Sequence, residues 1–426
     1  MAVRASEWQK LPISLTELCI NTTLRCGQSF RYASTLSLGL PPLTPSRWRK
    51  SPTDEWSCTL HGRILSLKQD STHLHYRALY PASPAPELPT PPPSTAPSVA
   101  GGDDDNTLAL LTHYLNLRPN LHDLYAHWSS SDPNFRRKAP AFAGIRILRQ
   151  DPWEALVGFI CSSNNHISRI SGMVANLCLH YGPHLGTVDG QAYHDFPTPE
   201  ALAGEGVEEK LKALGFGYRA KYIAKTARMV QEKGIEWLND LANPELPPFG
   251  REAGDAGEMG GAGREGYQQA HAELLALHGV GPKVADCVCL MGLGWSEAVP
   301  VDTHVWQIAQ RDYKFGKGKN SSLTAAMYAA VGDHFRKLWG KEAGWAHSVL
   351  FTADLREFKE RIVKEVKAEE EVVVKIEGGD EVVEDVVKKE VVKKKRVKRE
   401  LDADEHQVLQ VKEEVRRSKR LRAAAS

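Results

Sequence analysis

The stretch ELLALHGVGPKVADCVCLMGLGWSEAVPVDTHVWQIAQRDY, Glu273 to Tyr313, decides how this chain is read. It opens as a helical run with Leu274, Leu275 and Leu277 on an apolar stripe, then breaks at Gly279-Val280-Gly281. Two glycines around one small apolar residue make a tight hairpin whose backbone N–H groups can point outward. The next helix begins at once, with Pro282 in its first turn, where a missing N–H costs nothing. Free N–H groups at a positive helix end form an anion site, and a DNA phosphate is its natural occupant. Lys283 follows on the same turn. Further on, Pro300 interrupts helix and Asp302 can cap the helix after it, which would fix a carboxylate at a helix start.

Composition bounds the rest. A chain of 426 residues leaves room for two or three domains and a sizeable core. Its 42% hydrophobic content is ordinary for a soluble protein, and no apolar run approaches membrane-spanning length. The start, MAVRASEWQKLPISL, has no apolar signal-peptide core, so secretion is not expected. The seven cysteines form no regular ladder, which fits a reducing compartment. They include no CxxC pair, so neither a zinc ribbon nor an iron–sulfur cluster is expected, and no cofactor is implied. Net charge is only +1, but acidic blocks at Asp103-Asp104-Asp105 and in the tail lie away from the hairpin. A DNA-binding face needs local positive charge and backbone donors, not a basic total.

From Trp8 to about Tyr80 the pattern is that of strands. Trp56–Leu60, Arg63–Leu67 and His73–Leu79 are separated by turn residues at Gly62 and Asp70-Ser71 and read as an antiparallel meander with one covered face. Pro81 to Asp105 is dominated by proline, then glycine and aspartate, and reads as a disordered insertion. Helices follow. Leu108, Leu111 and Leu115 recur at helical spacing, and Asp151-Pro152-Trp153-Glu154 is a helix start with its own cap. The apolar run after it delivers Ser162-Ser163-Asn164-Asn165-His166 to a helix end. Leu214 to Arg219 places an aromatic and a guanidinium after two glycines: a wedge for a base stack, or equally a core tyrosine beside a solvated arginine. The glycine-rich stretch 250–266 reads as a mobile loop that affects order more than chemistry. Lys314 to Asn320 form a basic loop, Ser321 to Trp339 a further helix, and Trp345 to Arg356 an apolar helical run that closes the core. Beyond about Lys359, Val–Glu–Lys repeats form a charged, disordered tail. Its basic runs Lys393-Lys394-Lys395-Arg396 and Arg416-Arg417-Ser418-Lys419-Arg420 fit nuclear import signals, with a mitochondrial pool left open.

The central stretch from Leu277 to Tyr313 closely resembles the helix-hairpin-helix lysine-and-aspartate region of 8-oxoguanine DNA glycosylases. CGQSFRY (26–32), ICSSNNHISRISGM (160–173), LGFGYRAKY (214–222) and GWAHSVLFTADLR (344–356) resemble that family in the same order. The resemblance implies an α+β fold: a small N-terminal antiparallel sheet domain over 1–106, a helical helix-hairpin-helix core over 107–356, and the tail over 357–426. It implies a monomer acting on double-stranded DNA that contains oxidised guanine.

Base excision breaks a C1′–N bond through a transition state with positive charge on the sugar, which a nucleophile and a nearby carboxylate suit. By resemblance Lys283 is the nucleophile and Asp302 the stabilising carboxylate; on its own, Lys283 could merely touch a phosphate and Asp302 merely cap a helix. The resemblance gives Gly27 a carbonyl for the N7–H that 8-oxoguanine has and guanine lacks, worth on the order of 1–3 kcal/mol. It makes Cys287 and Phe351 the sandwich for the flipped base, with Met291 and Pro300 lining the pocket, although core packing serves Met291 nearly as well. Asn164 resembles the gap-filling asparagine, Arg169 and Arg219 the readers of the opposite base, Tyr218 the wedge, and His304 a phosphate or lesion-side contact. Gly279, Val280 and Gly281 form the phosphate-binding hairpin. His347 stands where the family usually has glutamine, and an imidazole cannot present both an amide oxygen and an NH2 to a base edge. A non-catalytic DNA-binding module, or a glycosylase for another lesion, are the alternatives.

Overall fold

Strand patterning in the first eighty residues produces one mostly antiparallel sheet in the computed structural model, which describes residues 3–33, 48–50, 55–81, 105–316, 322–355 and 357–358. Its strands are β1 (Val3–Ala5), β2 (Gln9–Pro12), β3 (Tyr32–Ala33), β4 (Trp48–Lys50), β5 (Trp56–Leu60), β6 (Arg63–Gln69) and β7 (His73–Pro81). The order is β1-β7-β6-β5-β4-β3, with β2 also paired to β7. One pair, β3 with β4, is parallel, so the sheet is not antiparallel throughout. The Pro-rich insertion (all but its end residues), most of the 314–320 loop, Arg356 and the tail beyond Phe358 lie outside the described residues.

Register follows the alternation of side chains. Trp56 faces Leu67, which faces Tyr76, so all three point into one core. Leu110, Leu111 and Tyr114 of the helix Thr107–Tyr114 complete that core. The sequence suggested one covered face, yet Ile64 and Leu79 on the reverse face pack against Leu185 and Tyr193. Those two belong to a hairpin, His184–Val188 with Gln191–His194, that interrupts the helical half. Its strands are too short to declare themselves by periodicity.

A buried ion pair fixes the sheet to the helix Pro152–Ser162. Arg31 Nε donates to Glu154 Oε1 at 2.5 Å and Nη2 to Oε2 at 2.6 Å, while Nη1 donates to Thr59 Oγ1 of β5 at 2.7 Å. Removing Arg31 would strand buried Glu154 in the interior, at about 3–5 kcal/mol, whereas Arg31 without Glu154 would keep Asp195 at 3.5 Å. The glycine-rich stretch also ends anchored rather than loose. Arg264, 3% exposed, pairs with the fully buried Glu297 at 2.9 Å and with Glu245 at 2.9 Å. The ion pair, invisible to a reading of glycine content, ties the end of the loop to the segment between the lysine and the aspartate.

Candidate active site and nucleic-acid interface

The hairpin forms as its sequence requires. The helix Glu265–Leu275 ends before it and the lysine helix, Pro282–Met291, begins after it. Gly279 holds φ +80°, and a Cβ there would lie 2.6 Å from Tyr222, so only glycine both makes the turn and packs against that ring. Gly281 is the N-cap, without a side-chain cap, and a Cβ on it would meet open space. The first N–H groups of the lysine helix therefore have no side-chain cap to satisfy them, the condition under which a helix start takes an anion.

Lys283 is half-buried on the first turn. Its Nζ donates to Ser162 Oγ at 3.2 Å and lies 5.3 Å from the centre of the Phe159 ring. Ser162 in turn donates to the Phe159 carbonyl at 2.7 Å, so its hydroxyl has a lone pair, not a proton, to offer the ammonium. The SSNNH segment was legible as a helix end, but nothing marked Ser162 as the lysine's partner, or Phe159 as its apolar wall.

Asp302 caps the aspartate helix, Thr303–Tyr313, accepting from Val305 N at 2.9 Å. Two side chains feel both charges. Cys287, one turn beyond Lys283 on the same face, has its thiol pushed up to about 11 by burial, against the pull of Lys283 and with the push of Asp302. His347, 6% exposed, is pushed down to about 4 by burial, with Asp302 opposing and Lys283 assisting. The Gly344 backbone also favours the protonated ring, although neither imidazole nitrogen makes a hydrogen bond of good geometry. A neutral, buried imidazole thus lies near the lysine and the aspartate.

The remaining pocket residues arrive from far along the chain. A Cβ on Gly27 (φ +82°) would come within 3.1 Å of Ile167 and 3.8 Å of Phe351, which brings the first and last matched segments together. Phe351 lies 6.4 Å from His347, one helical turn away, and meets His304 edge-on at 6.1 Å. The turn at Gly27 is held by a residue that sequence reasoning passed over. Gln28, 2% exposed, donates to the Arg146 carbonyl at 2.8 Å and accepts from Leu148 N at 2.9 Å. Met291 and Pro300 are buried, and the Met291 carbonyl accepts from Gln150 N at 2.8 Å.

The second cluster inverts one of the two readings of Leu214–Arg219. Tyr218 is 50% exposed while Arg219 is 3% exposed. Tyr218 O–H donates to the Ser163 carbonyl at 3.0 Å, and Arg219 Nη2 donates to the carbonyls of Ser163 and, at 3.2 Å, Asn164. Asn164 itself holds φ +48° just past the helix end. Arg169 donates to the Gly215 carbonyl at 3.2 Å. Arg219 therefore braces the turn that carries Asn164, and Arg169 the glycine loop that carries Tyr218.

A glycine hairpin opening a lysine helix, followed by a helix that an aspartate caps, points to a class: base-excision DNA glycosylases of the helix-hairpin-helix superfamily. The model of the HhH-GPD superfamily base excision DNA repair protein matches residues 157–328, and that of the 8-oxoguanine DNA glycosylase N-terminal domain matches residues 10–156. The N-glycosylase/DNA lyase of Saccharomyces cerevisiae is 37% identical over 81% of this chain and 86% of its own length. The N-glycosylase/DNA lyase OGG1 of Arabidopsis thaliana is 37% identical over 82% of this chain and 80% of its own. The chain belongs to the 8-oxoguanine DNA glycosylase family and is a DNA N-glycosylase with lyase activity. Among solved structures, the Clostridium acetobutylicum 8-oxoguanine glycosylase/lyase in complex with double-stranded DNA carrying cytosine opposite 8-oxoguanine superposes with a TM-score of 0.57. It is 22% identical and aligns over 79% of this chain and 91% of that one, a likeness of fold. The non-catalytic alternative is thereby set aside, and no described helix is long and apolar enough to cross a membrane.

Proposed function

We propose that this chain excises 8-oxoguanine, and with it formamidopyrimidine, from opposite cytosine in duplex DNA, acting as a monomer. The observation that carries the reading is Lys283 on the first turn of the helix that follows the hairpin, hydrogen-bonded to Ser162 Oγ, with Asp302 fixed as the cap of the next helix. Lys283, once its proton is lost, attacks C1′; the C1′–N bond breaks and its electron pair leaves with the base, which takes up a proton. Opening of the sugar gives a Schiff base between Lys283 and C1′, and loss of a proton from C2′ expels the 3′ phosphate. Asp302, fixed as a cap, stabilises the cationic sugar as it forms. The hairpin N–H groups hold a phosphate, and Tyr218 and Asn164 occupy the gap left by the flipped base. Arg169 and Arg219 read the opposite base by exchanging their carbonyl partners for base-edge acceptors.

Borohydride treatment of the chain with lesion duplex is expected to trap a covalent complex that disappears in Lys283→Gln; persistent trapping would remove the lysine from its role. Duplexes carrying each lesion opposite each of the four bases test specificity, and equal cleavage opposite all four would strip Arg169 and Arg219 of theirs. A second reading, a different ranking of lesions, is favoured by His347, whose single donor and single acceptor suit a ring-opened purine as well as an intact one. For location, the two basic runs of the tail support the nucleus. A tagged chain that stays nuclear after both runs are neutralised would refute that.

A further inference from the structure

A cavity of about 300 Å³ opens between the helix Thr107–Tyr114 and the segment 245–253, and it shares no lining residue with the base-excision site. Four charged side chains line it: Arg118, Arg149, Glu245 and Arg251. Two of these are already neutralised within the fold. Arg251 pairs with Asp240 at 2.8 Å and with Glu236, and Glu245 pairs with Arg264 at 2.9 Å. Neither Arg118 nor Arg149 forms an ion pair with a carboxylate among the described residues, and Glu245 is held by Arg264.

Arg149 is the unusual one. It is 4% exposed, and its Nη2 donates to the carbonyls of Leu246 and, at 3.0 Å, Pro247. Its Nε has no partner. A guanidinium taken out of water without a counter-charge is costly, and its neighbours register the uncompensated field. Burial first, and Arg118 second, hold Arg149 down at about 10; burial, then Arg149, His61 and Arg118, hold His113 down at about 3. Beside the two cations stands a flat apolar wall. Phe249 is flanked by the rings of His61 and His113, each 5.6 Å away.

We propose that this cavity is a second ligand site, separate from the base-excision pocket, that takes a phosphate monoester on Arg118 and Arg149. Two unpaired guanidiniums match a phosphate dianion in charge and in donor geometry. The volume is at the lower end of small-molecule sites, and the Phe249 wall suits a planar ring attached to the phosphate.

The test uses the full chain saturated with an undamaged duplex, so that the hairpin and other DNA-contacting donors are occupied. Inorganic phosphate and a deoxynucleoside monophosphate are titrated separately by calorimetry. Saturable binding of both is expected, the nucleotide tighter, with Phe249→Ala erasing the difference. Arg118→Ala, at an exposed position that the fold does not need, should weaken phosphate binding about tenfold, the loss of one charge-assisted hydrogen bond. Arg149→Gln should weaken it at least as much, and base release from lesion duplex should be unchanged in Arg118→Ala. No saturable binding, or binding that is indifferent to Arg118→Ala, would overturn the proposal.

Discussion

At the scale of single residues, Asp302 carries two duties that one substitution separates. As a cap it accepts from Val305 N, and asparagine caps a helix equally well. In the role proposed for it, an anion beside the sugar, it has no neutral substitute. Asp302→Asn is therefore expected to keep thermal stability within about 0.5 kcal/mol while base release slows by roughly 10²–10³-fold. Denaturant melts and single-turnover excision decide it; a slow enzyme that is also unstable would make the cap, not the charge, responsible. Gly279 argues in the opposite direction. Its positive φ and its contact with Tyr222 leave no space for a methyl group, so Gly279→Ala should destabilise by about 1–3 kcal/mol and weaken affinity for undamaged duplex. Affinity falling with no loss of stability would mean that Tyr222 yields freely.

Between elements, the lysine helix and the aspartate segment are joined by a hydroxyl. Tyr328 O–H donates to Asp286 Oδ2 at 2.5 Å, within the lysine helix, and accepts from Val301 N at 3.3 Å, next to Asp302. Tyr267 O–H donates to the other oxygen of Asp286 at 2.6 Å but reaches nothing on the aspartate side. Tyr328→Phe and Tyr267→Phe should each destabilise by about 1–3 kcal/mol, because each leaves buried Asp286 a donor short, with Tyr328→Phe the worse because Val301 N also loses its acceptor. Only Tyr328→Phe should lower kcat, with KM for DNA held, because it alone frees Val301 and Asp302 to drift from Lys283. Equal kcat in the two variants would reduce Tyr328 to packing. Elements of this kind divide what the sequence discloses from what it conceals. The hairpin, Pro282 in the first turn, the Asp151 cap and the Asp302 cap are local, and each was legible from a few neighbouring letters. Tyr328 with Asp286, Ser162 with Lys283, and Arg31 with Glu154 are pairs across long separations. No periodicity or spacing announces them, because their partners are chosen only when the chain folds.

Over the whole molecule the same division holds. Alternation in β5, β6 and β7 sufficed to foresee the sheet, whereas the hairpin covering its reverse face did not show itself in nine short-strand residues. The candidate site residues were named through resemblance, whereas the approach of Gly27 and His304 to Phe351 from far along the chain is a property of the assembled core. That core also sets how the molecule responds to acid. His347 is buried and neutral, titrating at about 4 in the fold against about 6.5 in an unfolded chain. The unfolded state therefore binds the proton first. Stability that is fully present above pH 6.5 is lost as the pH falls towards 4, by up to ~3 kcal/mol from this residue. His113, held at about 3 by burial and by Arg149, extends the loss to lower pH. The carboxyl of Asp312, held at about 2 by Arg311 and Lys138 against its burial, begins to lose its contribution only below about pH 4. Melting temperature should accordingly decline between pH 6.5 and 4, before that carboxylate is protonated, and His347→Gln, which cannot titrate, should flatten that part of the curve. A parallel decline in the variant, or an imidazole resonance for His347 that titrates near 6.5 by NMR, would mean that water reaches the ring and that the base pocket is wetter than its packing implies.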